Sequence, residues 1–200
     1  KGDILFNQSV TSIKSTAETL IVEANESYKA EKVVLAIPPK LWKSNISFDP
    51  ALPTDLTEIA KHTHTWMEDS IKIGVTYDQP FWDQANLSST LFSNAGPITE
   101  FYDHSDHKKT KYALCGFMDT SLKTLSDTDR RKNVIHQLIS VFGPKAEAFT
   151  SYEECIWSKE KYTFQKSEDF ILPHQNNGNP IYNTPFFNNK LLISSSETAH

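Results

Sequence analysis

Apolar residues fall in short runs along most of this chain, and their spacing changes from two to near three and a half only in a few places. Val33 to Pro39, Val-Val-Leu-Ala-Ile-Pro-Pro, is the most apolar run and ends abruptly. A β-branched start and continuous apolar character read as a strand buried on both faces. Pro38 and Pro39 remove two amide donors, and Pro38 drives Ile37 out of the helical region, so the backbone must leave a sheet there. Ahead of it, Ile4 to Phe6, Val10 to Ile13 and Leu20 to Glu23 are short β-rich runs, with Asn25-Glu26-Ser27 as a turn before Tyr28. Together they predict a small antiparallel meander feeding the Val33 strand.

Between Pro50 and His62, Leu56, Ile59 and Ala60 recur at helical spacing behind Pro53, which suits a first helical turn. Ser70 to Tyr77 is a β-branched strand with a single lysine, Lys72, in its middle, closed by the turn Pro80-Phe81-Trp82. Leu91 to Phe92, Ile98 to Tyr102 and Tyr112 to Phe117 predict a second antiparallel set. The strongest helix starts at Ser126 or Asp127, with Val134, Ile135, Leu138, Ile139 and Phe142 on one face, and stops at Gly143-Pro144. A strand at Tyr152 to Trp157, an Asn-rich loop at Gln175 to Asn179 and a short strand at Leu191 to Ile193 follow. Mixed strands with one good helix and one or two short ones predict an α+β fold, with a mixed, largely antiparallel sheet and helices.

Composition bounds the chemistry. The 200 residues suffice for one substantial domain, and 38% hydrophobic and 12% aromatic content mark a globular chain. A net charge of -5 with only short basic patches, at Lys108 to Lys111 and Arg130 to Lys132, argues against a nucleic-acid partner. No run approaches the roughly 18 to 20 apolar residues of a membrane span. The chain opens on Lys-Gly-Asp, the expected look of a cut through a longer protein, and two cysteines do not make a disulfide framework. A cytoplasmic setting is expected.

Several side chains are candidates for chemistry. Lys72 either turns outward by simple alternation or points inward at a desolvation cost that use would justify. His62 with His64, and Asp103-His104-Ser105-Asp106-His107, have ligand-like composition, but the second group reads as a solvated turn, and no metal is expected. The six glycines include no G-x-G pair, so a dinucleotide cradle, if there is one, lies outside these residues. Trp157, Glu160 and Tyr162 form a W-x-x-E-x-Y pattern that serves either as core packing or as the wall of an apolar pocket.

Taken in order, these pieces resemble the flavin-dependent amine oxidases, the monoamine and polyamine oxidase family. The resemblance runs from Val-x-x-Ile at Val10 to Ile13 through Ala30 to Pro39, F-x-P-x-L-P within Ile46 to Pro53, Ser70-Ile-Lys72, P-F-W at Pro80 to Trp82, Gly116-Phe117, Trp157 to Tyr162, and Ser196-Glu-Thr-Ala. It implies a flavoenzyme with FAD as cofactor, oxidising a small-molecule amine to an imine by hydride transfer to flavin N5 with oxygen as acceptor. This chain would be only part of it, inactive alone, and a homodimer is compatible with the family.

The implied organisation is FAD-domain strands at 1–39, a substrate domain at 40–190 and the start of the last FAD segment at 191–200. The resemblance places Val10 at the adenine, Ala36 and Pro38 beside the cofactor, Lys72 on a water next to flavin N5, and Trp157 and Tyr162 by the isoalloxazine. Glu197 and Thr198 would contact the ribityl or pyrophosphate region, and Phe117 with Phe101 would line the amine pocket. Lys166 stands where monoamine oxidases carry the flavin-linking cysteine, so FAD is expected to be non-covalent. Ser195 replaces a family glycine, and Phe164 and Gln165 replace two more. Those changes support one alternative, a degenerate binding module of the same fold; a desaturase-like or protoporphyrinogen-oxidase-like flavoenzyme is the other.

Overall fold

A computed structural model describes residues 2–84 and 90–199. In chain order the strands and helices are β1 (Ser12–Ser15), β2 (Leu20–Glu23), β3 (Ser27–Ala30), β4 (Val33–Leu35), α1 (Pro39–Asn45), β5 (Ser47–Asp49), α2 (Thr54–Lys61) and β6 (Ile71–Tyr77). They continue with α3 (Phe81–Gln84), β7 (Thr90–Phe92), β8 (Ile98–Asp103), β9 (Tyr112–Met118), α4 (Asp127–Phe142), β10 (Phe149–Ile156) and β11 (Leu191–Ile193). The chain divides into two compact units, residues 1–68 with 160–200, and residues 69–159.

The first unit holds a four-stranded sheet in the order β3-β2-β1-β5 and a two-stranded parallel pair, β4 with β11. The predicted meander is there, with β1–β2 and β2–β3 antiparallel, and β5 adds a parallel partner to β1 that the sequence does not announce. Ile4 to Phe6 forms no strand: its side chains are exposed and the run has no ladder. The Val33 strand is shorter and less buried than expected. It ends at Leu35, and Val34 is 54% exposed, so only one face of β4 is covered in this chain.

The double proline does more than stop a strand. Pro38 occupies the N-cap and Pro39 the first turn of α1, where a missing amide costs nothing because no carbonyl waits for it. Trp42 from α1 and Leu56 and Ala60 from α2 join Ile13, Leu35 and Leu191 in one core. Residues 40–68 and 160–190 thus pack in the same compact unit as the first strands.

The second unit is a five-stranded antiparallel sheet, β10-β6-β9-β8-β7, with α4 on one face. Strict alternation along β6 puts Ile71, Ile73, Val75 and Tyr77 in the core with Val134 and Leu138 of α4, and Lys72, Gly74 and Thr76 on the other face. Ser126 caps α4 by accepting the Asp129 amide at 3.1 Å, and Gly143 ends it at φ 83. Pro80-Phe81-Trp82 enters a short helix rather than an open turn, because Trp82 is fully buried against Tyr77 and Phe81.

Candidate functional site

Two constellations stand out, one in each unit. In the first, the parallel pair β4–β11 runs in register, Val33 to Leu35 beside Leu191 to Ile193, so both strands deliver their carboxyl ends to one place. Ser194 N donates to Leu35 O at 2.9 Å, which sets Ala36–Pro38 next to Ser194–Thr198. Carboxyl ends of parallel strands are where α/β sheets hold their ligands. Glu197 is buried, and its carboxylate is held from two sides: Oε1 accepts the Trp66 amide at 2.8 Å and Oε2 the Ser195 hydroxyl at 2.7 Å. Thr198 Oγ1 accepts the Ser195 amide and completes a capping box. Ser195 has extended backbone, φ -132 and ψ 177, so this position makes no conformational demand for glycine.

The same unit holds a pair that sequence reading missed. Lys40 Nζ donates to Glu68 Oε2 at 2.6 Å and Oε1 at 2.9 Å, with both residues buried and the Phe164 ring 5.7 Å from the ammonium. His64 Nε2 lies 3.9 Å from Glu68 Oε1. No local pattern marks Lys40 as inward, since its partner lies on a separate segment.

The second constellation is the face of the five-stranded sheet opposite α4. Lys72 is half-buried there, and its Nζ lies 5.7 Å from the centroid of the Phe117 ring on the neighbouring strand. Register continues the row across the sheet: Cys155 pairs with Lys72, Lys72 with Phe117, Phe117 with Glu100, and Glu100 with Phe92. Tyr102 Oη donates to the Glu100 carboxylate, and Phe92 packs edge-on against Tyr102 at 6.2 Å. That hydrogen bond, with burial and the Glu100 charge, holds the Tyr102 hydroxyl above its usual pKa. Burial pushes the Cys115 thiol up as well, while the Lys72 charge pulls against it. Trp157 is tied to the start of the lysine strand by its amide, which donates to Ser70 O at 3.2 Å.

Not every expected residue joins these groups. Phe101 is 1% exposed and packs over Gly116 in the core shared with α4, on the face away from Lys72 and Phe117, so the geometry does not make it a pocket residue. The cause is a register shift between Ile98 and Glu100, which exchanges the faces of the residues after it. Glu100 therefore takes the place beside Phe117 that strict alternation from Ile98 would have denied it. Tyr162 is 72% exposed, with Lys161 Nζ 5.2 Å from its ring. Val10 packs its side chain against the core of the first unit. The Asp103–His107 stretch ends in a turn in which Asp106 accepts the amides of Thr110 and Lys111.

The comparisons with known proteins bear on family and fold. Residues 1–183 match the family described as flavin containing amine oxidoreductase. A probable flavin-containing monoamine oxidase A of Dictyostelium discoideum is 31% identical over 164 residues, covering 79% of this chain and 35% of that protein. Putrescine oxidase of Kocuria rosea is 32% identical over 68% of this chain and 28% of its own length. A solved structure of putrescine oxidase bound to putrescine superposes with a TM-score of 0.78 at 28% identity, over 96% of this chain and 43% of the other. Cyclohexylamine oxidase from Brevibacterium oxydans shares the fold at 20% identity and a TM-score of 0.77. The chain spans about a third of the length of the curated relatives it matches. With an antiparallel sheet carrying the motif lysine, and a parallel pair ending beside Ser196-Glu-Thr-Ala, this chain belongs to the flavin containing amine oxidoreductase family.

Proposed function

We propose that the protein to which this chain belongs is an FAD-dependent amine oxidase, converting an amine to an imine with oxygen as acceptor. The observation that carries this reading is the parallel pair, whose carboxyl ends bring Ala36–Pro38 beside Ser194–Thr198. That donor and acceptor set suits a hydroxylated cofactor chain: a buried carboxylate at Glu197 with lone pairs to spare, an exposed strand end at Ala36, and a stiff Pro38-Pro39 crossing. Val10, Trp157 and Tyr162 are the remaining cofactor contacts of the proposal. Lys166 offers no thiol for covalent linkage, so FAD is held non-covalently.

FAD, when bound, supplies the acceptor for a hydride from the carbon next to a neutral amine. Lys72 orients a water through its ammonium. Its half-burial against Phe117 limits the positions that ammonium can take. Phe117 presents an apolar face that favours the uncharged amine over ammonium by withholding solvent. Residues 1–39 and 191–200 serve FAD and the 69–159 sheet serves the amine; the protein acts as a monomer or homodimer on a small molecule. Among the described residues no helix is long and apolar enough to cross a membrane, and a cytoplasmic location is proposed with this activity.

The test is direct. The full-length protein is purified and its absorbance recorded; a flavin spectrum released by denaturation is expected, and its absence would sink the reading. Lys72→Met should then slow reoxidation by oxygen more than reduction by amine, read by stopped flow as two separate phases.

A further inference from the structure

The last turn of α1, the end of α2 and residues 165–168, all within the first compact unit, line a cavity of about 200 Å³. We propose that it binds a tetrahedral oxyanion: phosphate, or the phosphoryl group of a small ester. Four lysines face it, Lys40, Lys43, Lys61 and Lys166, together with the hydroxyl residues Ser44 and Ser167. Cavities that take drug-sized molecules run to about 300–1,000 Å³, so this one suits a single small ion or group. The assignment does not depend on the amine oxidase reading.

The chain as a whole carries a net charge of -5, yet at this cavity the cations exceed the carboxylates that answer them. Lys40 is neutralised by Glu68, which it holds through two hydrogen bonds. Lys61 Nζ lies 3.0 Å from Asp169 Oδ2, and that same oxygen also takes His62 Nε2 at 3.1 Å. Among the described residues, no carboxylate is within ion-pair distance of Lys43 or Lys166. Glu168 is the one carboxylate in the lining, set against those two unpaired ammonium groups. Held in a concave wall, the surplus charge concentrates its field on the cavity, where an anion is drawn in. Both lysines are exposed, so an ion reaches them from solvent without any rearrangement. Ser167 Oγ accepts the Asp169 amide at 3.2 Å, which leaves the hydroxyl proton to donate to a ligand. No arginine is among the described residues of the lining. Lysines act as separate point charges without a planar fork, and several of them around one space fit the tetrahedral oxygens of phosphate better than the flat pair of a carboxylate.

Calorimetric titration of the full-length protein, at fixed ionic strength in a phosphate-free buffer, should give a phosphate Kd of about 1 mM or tighter. Lys43→Ala and Lys166→Ala should each weaken binding about 3- to 10-fold, the range of a charge-assisted contact discounted for exposure. Glu168→Gln should tighten it about 2- to 5-fold by removing the opposing charge. Lys132→Ala on α4 lowers the net charge equally and should leave binding unchanged. Acetate should bind about 10-fold more weakly than phosphate, for want of the tetrahedral oxygens. Glycerol 3-phosphate separates the two sources: affinity above that of inorganic phosphate assigns the ester, and affinity at or below it assigns the free ion. The site is overturned by any of three results: no heat at about 10 mM phosphate, acetate that matches phosphate, or lysine variants at both positions that bind as well as Lys132→Ala. Unchanged melting temperatures in the absence of phosphate show that each variant is folded.

Discussion

Replacing Lys40 with methionine isolates one buried interaction. Lys40 is 3% and Glu68 6% exposed, and two hydrogen bonds of 2.6 and 2.9 Å join them. Methionine keeps the length of the stem but leaves the Glu68 carboxylate without its cation. Removing one partner of a buried pair costs about 3–5 kcal/mol, because the remaining charge still bears its desolvation penalty. The second substitution, Glu68→Leu in the same protein, removes that orphaned charge. The double variant should return to within about 1 kcal/mol of the native stability or exceed it, as buried pairs replaced by apolar residues commonly do. Urea unfolding, followed by tryptophan fluorescence because Trp42 lies in the same unit, reads the loss of stability. Lys40 N-cap effects are not confounding, since α1 starts on prolines with no side-chain cap. A cost below about 1 kcal/mol for Lys40→Met, or a double variant as unstable as the two single losses added, would refute the account.

Three further outcomes follow from particular contacts. Gly116→Ala should destabilise by about 1–3 kcal/mol, since a Cβ there would lie 2.8 Å from Glu100 O and 2.9 Å from Phe101 Cδ1; Gly74→Ala, with open space around it, should keep near-native stability in the same thermal melt. Tyr182 is buried and its pKa is pushed up from 10.0 to about 12 by that burial. The unfolded chain therefore releases this proton first, so Tyr182 adds nothing to the pH dependence below about pH 10 and lowers stability by about 1.4 kcal/mol per pH unit from there to about pH 12; because burial also raises the Tyr77 and Tyr152 hydroxyls, the measurement is the difference in urea midpoint between the native protein and Tyr182→Phe across that range. Ser126→Ala should cost about 1 kcal/mol by freeing the Asp129 amide at the start of α4, measured by chemical denaturation, with Ser121→Ala outside that helix as the control.

Much of this protein is legible along the chain because local patterns carry it. The α4 stripe with its serine cap and glycine stop, the alternation of β6 and the strand at Leu20–Glu23 each depend on residues close in sequence and appear where the pattern puts them, while the meander is built from β1, β2 and β3 without the Ile4 to Phe6 run. Lys72 could be named as a strand residue but not assigned a face, because alternation is symmetric until the core side is known. Only the packing of α4 against Ile71, Ile73 and Val75 decides that the lysine points away from it. The double proline was visible as a break, yet whether it stopped a strand or opened a helix depended on where Trp42 could be buried.

Residue order alone therefore determined the family, the α4 helix and the lysine strand. Tertiary structure decided three things that no local pattern encodes. It paired β4 with β11 across more than 150 residues, which brings Ala36–Pro38 to Ser194–Thr198. It joined Lys40 to Glu68, since an ion pair between separate elements leaves no periodic trace. It also set the register shift in β8, and because side chains alternate with a period of two, one extra residue sends Phe101 into the core and Glu100 to the face of Lys72.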